Sequence, residues 1–214
     1  MKIALINENS QAAKNEMICA TLKSVVEPMG HEVFNYGMYS AEDTHQLTYV
    51  QNGILAAVLL NSGAADFVIT GCGTGEGAML ACNAMPGVQC GHVVDPADSY
   101  LFTQVNAGNC MSLPFAKGWG WGAEVNLEYV FEKLFVQEPG GGYPETAAAS
   151  EQRNAALLTK LKEAAHHDIK EILANEDPDV HEMVQAAFAG KRMELFKADC
   201  KCPEILAAVE AAVK

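Results

Sequence analysis

The chain of 214 residues is long enough for one large folded unit, and 50% of its residues are hydrophobic, which supplies ample material for a core. With 27 acidic residues against 14 basic ones, the formal charge of -13 disfavours binding to nucleic acid or to anionic membranes. The longest apolar run, GILAAVLL at 53–60, is too short to cross a bilayer. We therefore expect a cytoplasmic protein without nucleic-acid or membrane partners.

The seven cysteines are odd in number and lack the paired spacing of a disulfide framework, so we expect free thiols in a reducing compartment. Three of them, Cys82, Cys90 and Cys110, lie within apolar patterns and are expected in the core. No metal is expected, because the chain has no C-x-x-C pair, and Cys200 and Cys202 lack a second pair at ligand spacing.

The first 70 residues alternate short apolar runs with longer helical patterns. A buried strand is predicted at 2–6 and a helix over 10–27. A second strand is predicted at 31–37 and a second helix over 41–60, where apolar residues recur at spacings of three and four. The third strand, at 66–70, leads directly into a run of closely spaced glycines.

The same alternation continues to residue 136. A helix that ends near Met85 precedes a strand at 87–93, and a helix over 96–106 precedes a strand at 109–113. A helix over 122–136 closes the unit. Strands that alternate with helices predict a parallel sheet covered on both faces, which is the doubly wound α/β class.

A Gly/Pro-rich stretch at 137–150 separates this unit from a tail without strand patterns. We divide the chain into an α/β domain over 1–142 and a helical C-terminal extension over 143–214. About 60 residues of helix have too little core for an independent domain, so we expect the extension to pack on the first unit or on a partner subunit. One continuous helix is predicted through His166 and His167.

The sequence GCGTGEGAML at 71–80 lies between a predicted strand and a predicted helix. This succession places backbone N–H groups and the positive end of a helix dipole at the carboxyl edge of the sheet, where open α/β sheets bind ligands. A P-loop is excluded because the G-K-[ST] ending is missing. A dinucleotide fingerprint is matched weakly by Gly73, Gly75 and Ala78, since the glycines follow the third strand rather than the first.

Acid–base chemistry is the third interpretation of this stretch. Cys72 precedes the helix, whose N-terminus favours the thiolate. Glu76 follows four residues later, near enough to reach the same ligand. In the structural alternative, Cys72 fills a small space in the core and Glu76 complements the helix dipole.

From KIALINEN to about residue 142, the sequence resembles the type B ribose-5-phosphate isomerase family, which includes the galactose-6-phosphate isomerase subunits. The match is carried by GCGTGEGAMLACNAMPGVQCG at 71–91 and by TQVNAGNCMSL at 103–113. The resemblance implies a Rossmann-like αβα fold with a five-stranded parallel sheet, no metal and no cofactor. It also implies a homodimer or homotetramer with sites at the subunit interface, and aldose–ketose isomerisation of a sugar or sugar phosphate through an enediolate.

The resemblance assigns a role to each matching residue. Cys72 is the favoured base and Glu76 the alternative or a helper, because family members use a cysteine or a glutamate at these positions. The predicted nest for the enediolate consists of Gly73, Thr74, Gly75 and Gly77. Substrate contacts are expected from Glu8, Asn9, Tyr49, Asn106 and Asn109.

Two histidines of the family are replaced in this sequence. Glu8 and Asn9 stand where the first strand of the family usually ends in Asp-His. Val105 stands at the position of the usual acid for ring opening. In this chain the acid is therefore expected among Glu8, Tyr49 and His45.

The arginines that grip phosphate in the family are also replaced, by Tyr143 and Ala147 at about the same places. Lys117 and Arg153 are expected to substitute for them. The replacements favour a different sugar phosphate or a free sugar over ribose 5-phosphate itself. A non-catalytic module that binds a sugar or a nucleotide is the alternative function, because a fold does not determine an activity.

Overall fold

Five strands form one parallel sheet in the computed structural model, which describes residues 1–214. The strands are β1 (Lys2–Leu5), β2 (Glu32–Asn35), β3 (Phe67–Cys72), β4 (Cys90–His92) and β5 (Cys110–Pro114). Their order across the sheet is β2-β1-β3-β5-β4, and every neighbouring pair is parallel. The predicted α/β class with a five-stranded parallel sheet is confirmed.

Ten α-helices and one 3₁₀ helix, Asn9–Lys14, surround the sheet. Those that alternate with the strands are α1 (Asn15–Val26), α2 (Tyr49–Asn61), α3 (Glu76–Asn83), α4 (Pro96–Asn106) and α5 (Ala123–Phe135). The C-terminal helices are α6 (Ala148–Ala165), α7 (Ile169–Leu173), α8 (Pro178–Ala187), α9 (Lys191–Asp199) and α10 (Pro203–Ala212). None of these helices has the length and apolar character needed to cross a membrane.

Successive residues of the central strands are buried on opposite faces of the sheet. Ile3 and Leu5 of β1 pack with α1 and α5 in one hydrophobic cluster. Ala4 of β1 and Val68 of β3 belong to a second cluster, which contains α2 and the C-terminal helices. Burial on both faces explains why these strands read as continuous apolar runs.

The second predicted helix was wrong in its start, because α2 begins at Tyr49 rather than at residue 41. Thr48 and Gln51 form a capping box that fixes this start. In the preceding loop, the Asp43 carboxylate accepts hydrogen bonds from the backbone N–H groups of Tyr39 and His45. Such local bonds compete with a helix ladder, so the apolar periodicity alone overestimated the helix.

The prediction of a continuous helix through His166 and His167 was also wrong. Helix α6 ends at Ala165, and His166 is extended, with φ -123° and ψ 151°. The Asp168 side chain then caps α7 by accepting from the N–H of Lys170. The capping aspartate starts a new helix where the apolar spacing alone suggested continuation.

The helices beyond α6 share the core of the α/β unit. Phe188, Phe196 and Val209 belong to the same hydrophobic cluster as Leu55 of α2. The buried guanidinium of Arg192 donates to the carbonyl groups of Ala186, Ala187 and His45, which joins the extension to the loop before α2. The boundary between 142 and 143 stays a prediction.

Tyr36 and Asp199 connect the loop after β2 to the end of α9. The buried Tyr36 hydroxyl donates to Asp199 Oδ2 over 3.0 Å, and Lys2 pairs with the other carboxylate oxygen at 3.2 Å. Burial, together with the neighbouring carboxylate, raises the pKa of Tyr36 well above its ordinary value.

We expect Tyr36→Phe to lower the free energy of unfolding at neutral pH by about 2 kcal/mol, because it removes a buried hydrogen bond to a carboxylate. The raised folded-state pKa means that this stabilisation is present below about pH 10, the tyrosine pKa of the unfolded chain, and is lost above it. Urea unfolding at neutral and alkaline pH measures both effects. Tyr129→Phe is the matched control, because Tyr129 is 54% exposed. An unchanged alkaline loss of stability in Tyr36→Phe would contradict the assignment.

Candidate active site

The carboxyl edge of the sheet has its switch point between β1 and β3, because the chain continues from β1 to β2 on one side and later to β3 on the other. Four segments meet there. The backbone N–H of Asn9 donates to the carbonyl of Leu47. The N–H groups of Phe115 and Ala116 donate to the carbonyls of Cys72 and Gly73, over 2.9 and 3.0 Å.

Cys72 is the last residue of β3 and is 8% exposed. Its Sγ accepts a hydrogen bond from the N–H of Gly75 over 3.2 Å and lies 3.9 Å from Thr74 Oγ1. Gly75 is the N-cap of α3, so the sulfur lies at the positive end of this helix. A thiol at this position lies beside the glycine turn, within reach of a ligand bound at the carboxyl edge of the sheet.

Gly75 adopts a φ of 81°, a conformation that favours glycine. Its carbonyl accepts from the Ser112 hydroxyl, and the neighbouring carbonyl of Thr74 accepts from His92 Nε2 over 2.9 Å. A Cβ at Gly75 would lie 2.7 Å from His92 Cδ2. His92, at the end of β4, therefore positions the glycine loop, a role that sequence reasoning did not assign to it.

Glu76 and Thr74 are both exposed beside this loop. The Glu76 carboxylate, 61% exposed, lies 3.8 Å from Lys117 Nζ. Thr74 Oγ1 accepts from the N–H of Glu76 over 3.3 Å. The ring of Tyr49 borders the same turn, since a Cβ at Gly77 would lie 3.3 Å from it. The structure thus brings the predicted residues Thr74, Glu76, Gly77, Lys117 and Tyr49 together around Cys72.

Glu8 and Asn9 lie at the same edge, after β1. Glu8 is buried, and its two carboxylate oxygens accept from the N–H and the hydroxyl of Ser10 over 2.9 and 2.6 Å. This side chain therefore caps the 3₁₀ helix, and both of its oxygens already have donors. Asn9 is exposed.

Gln11 and Lys14 also line this edge, although sequence reasoning missed them. Lys14 Nζ donates to Gln11 Oε1 over 2.7 Å and to the Phe115 carbonyl, and it lies 4.6 Å from the ring centroid of Trp119. A Cβ at Gly73 would lie 3.7 Å from Gln11 Nε2. Burial lowers the pKa of Lys14. The available signal was a pair of polar residues three positions apart, directly after the first strand.

Three predicted residues lie away from Cys72 within one chain. Asn109 precedes β5, where its side chain accepts from the N–H of Gln89 and donates to the carbonyl of Gly87, each over 2.8 Å. The length of β5, about 13 Å, separates this amino edge from Cys72. Asn106, at the end of α4, and Arg153, on α6, are both exposed.

The carboxyl edge forms an open groove rather than an enclosed cavity. A small pocket of about 30 Å³ lies there, beside Phe115, Lys117 and Trp119. A larger pocket, about 440 Å³, is bordered by His166 and Cys202 and does not include the glycine loop. A thiol at a helix N-terminus beside a glycine turn, at the switch point of a parallel sheet, is an arrangement that an α/β enzyme of proton-transfer type can use.

The ribose/galactose isomerase family matches residues 3–138, and the chain belongs to this family. Its structure resembles that of a 4-deoxy-L-threo-5-hexosulose-uronate ketol-isomerase solved with tartrate, with a TM-score of 0.95 and 56% identity over 100% of this chain and 99% of that one. A ribose-5-phosphate isomerase of Vibrio parahaemolyticus gives a TM-score of 0.94 and 50% identity over 99% of both chains.

The chain is therefore an aldose–ketose isomerase that acts on a sugar or sugar phosphate. This confirms the family resemblance and the predicted reaction class. A ribose 5-phosphate isomerase of Thermotoga maritima, 23% identical, shares the fold with a TM-score of 0.54 and covers 71% of this chain. The two relatives at 50% identity or more match the C-terminal helices as well.

We expect Gly75→Ala to lower kcat/KM by about 100-fold, because its Cβ would strain the backbone and push against His92, which displaces the loop that holds Cys72. Gly30→Ala is the matched control, since Gly30 also has a positive φ, 84°, but its Cβ would meet nothing within 4 Å. Steady-state kinetics and thermal unfolding of both variants test this. Equal activity of the two variants would show that the shape of the Gly75 turn does not matter.

Proposed function

We propose that this chain isomerises an open-chain sugar acid, 4-deoxy-L-threo-5-hexosulose uronate or a close analogue, by converting its C1 aldehyde and C2 hydroxyl into a ketose. The support is the 56% identity, over the whole chain, to an isomerase named for this substrate. That relative was solved with tartrate, a hydroxy acid with two carboxylates. Val105, Tyr143 and Ala147, which replace a histidine and the arginines of the family, are consistent with this substrate.

The observation that carries this proposal is the absence of the family histidine for ring opening. In the proposed substrate, C4 has no hydroxyl and C5 is a ketone, so the C1 aldehyde has neither of the hydroxyls that close an aldofuranose or aldopyranose ring. No acid is then needed to free the aldehyde. Val105 at the histidine position, and Glu8 with both oxygens already bonded to Ser10, fit such a substrate.

The groups available to bind an anion also favour a sugar acid as the substrate. Tyr143 and Ala147 replace the arginines that hold phosphate in the family. Lys14 offers one ammonium at the groove and has no carboxylate partner, whereas Lys117 is paired with Glu76. We assign the single carboxylate of the substrate to Lys14, held in place by Gln11 and the face of Trp119.

In the proposed mechanism, the Cys72 thiolate removes the proton from C2, and the electron pair of that bond forms the C1–C2 double bond of an enediolate. The charge that develops on O1 is stabilised by N–H groups of the glycine loop at the N-terminus of α3. The exposed Glu76 moves the hydroxyl proton from O2 to O1. Cys72 then returns its proton to C1, which completes the ketose without any net change in protons.

The open groove favours a site that a second subunit completes. Asn106 and Arg153, which are exposed, are assigned to the groove of a neighbouring subunit in a homodimer or homotetramer, whereas the Asn109 amide is already bonded to Gly87 and Gln89. Seven free cysteines fit a reducing compartment, and we assign the protein to the cytoplasm.

Cys72→Ala should abolish deuterium incorporation at C2 in D₂O and lower turnover by about 1,000-fold, because it removes the carbon base. Glu76→Gln should slow ketose formation while C2 exchange persists, because it affects only the hydroxyl proton. Proton NMR of the substrate measures both processes, with Cys202→Ala as the control. If Glu76→Gln abolishes exchange and Cys72→Ala does not, Glu76 is the base.

We expect kcat/KM for 4-deoxy-L-threo-5-hexosulose uronate to exceed that for ribose 5-phosphate by at least about 100-fold. Lys14→Met should lower the value for the uronate by about 10- to 100-fold, the worth of one hydrogen bond to a charged group. Lys23→Met is the matched control, because Lys23 is exposed on α1. A preference for ribose 5-phosphate would instead assign the reaction of the Vibrio parahaemolyticus relative. Saturable binding without exchange for any sugar would favour the non-catalytic alternative.

A further inference from the structure

Three cysteines converge at the amino edge of the sheet, at the opposite end from Cys72. Cys82 lies in α3, and Cys90 and Cys110 begin β4 and β5, where they are register partners. All three are buried, as the sequence predicted, and belong to the same hydrophobic cluster. Their Sγ atoms all lie within 4.8 Å of one another.

This spacing fits one face of a tetrahedral thiolate site. With Zn–S bonds of about 2.3 Å, the sulfur atoms of such a site are about 3.8 Å apart, so small side-chain rotations suffice. The rule that recognises zinc sites from paired cysteine spacing cannot detect this set, because the three thiols come from three different elements.

The cluster also has an approach from solvent and a compensating charge. Cys90 lines a cleft of about 310 Å³ together with Gln89 and Lys162. Lys162 Nζ donates to the carbonyl of Asn83 over 2.9 Å, next to Cys82 in sequence. Three thiolates and Zn²⁺ carry a net charge of -1, which the Lys162 ammonium balances.

We propose that Cys82, Cys90 and Cys110 bind one Zn²⁺ ion through their thiolates, with the fourth coordination position directed to the cleft beside Lys162. The length of β5 separates the ion from Cys72 of the same chain, so the ion lies outside the proton-transfer site of its own chain. By joining α3, β4 and β5, it stabilises the amino edge of the sheet, because binding energy to the folded state adds to folding stability. This inference is independent of the proposed substrate.

The test uses the full-length, reduced, metal-free chain without an affinity tag. Titration with Co²⁺ should give a thiolate-to-metal charge-transfer band whose intensity corresponds to three thiolates. Zn²⁺ should displace this band at one ion per chain and raise the midpoint of thermal unfolding in step with occupancy. Mass spectrometry under non-denaturing conditions counts the bound ions.

Cys90→Ala and Cys110→Ala should each lose the band and the thermal shift, and the double variant Cys200→Ala/Cys202→Ala should keep both. The double variant is the matched control, because its two cysteines are the other closely spaced pair. The proposal is overturned if the wild-type chain shows no charge-transfer band, or if the band persists in Cys90→Ala and disappears in the double variant. The Co²⁺ spectrum of the wild-type chain tests the proposal even if Cys90→Ala or Cys110→Ala fails to fold.

Discussion

The site depends on the close approach of β3 and β5 at the carboxyl edge. Gly71 has no room for a side chain, since a Cβ there would overlap the Leu113 carbonyl oxygen and the Phe115 ring. Because the strands come this close, the chain beyond them stays paired, with Phe115 and Ala116 bonded to the carbonyls of Cys72 and Gly73. Backbone hydrogen bonds therefore hold the thiol and the start of the glycine turn, and the side chains of His92 and Ser112 hold the rest of the turn.

A thiol and a glycine turn held by backbone bonds do not depend on the residues that surround the groove. Val105, Tyr143 and Ala147 all differ from the pattern of the family that this chain resembles, whereas the stretch with Cys72 and Glu76 retains it. The difference between the replaced residues and the retained stretch has a chemical reason. Proton transfer at carbon needs one geometry, while ring opening and anion binding depend on which sugar is present.

The alternation of strands and helices was predictable from sequence, because every central strand is buried on both faces and reads as an apolar run. The start of α2 was not predictable from the apolar spacing, because the hydrogen bonds of Asp43 and the capping box at Thr48 override that spacing. The placement of Cys72 and Glu76 at the carboxyl edge was predictable because they flank a glycine turn between a strand and a helix, and their catalytic roles stay a prediction. Lys14 and the cluster of Cys82, Cys90 and Cys110 depend on tertiary contacts between separate elements, which sequence spacing does not encode.

The C-terminal helices are part of the architecture that supports the groove. Arg192 donates to the His45 carbonyl, and the His45 ring packs against Gly190, where a Cβ would lie 2.8 Å from Nδ1. The loop held in this way leads directly to Tyr49, which borders the glycine turn. The C-terminal extension therefore holds the loop before α2, which borders one side of the groove. A segment without residues beside Cys72 therefore still contacts the loop that leads to the groove.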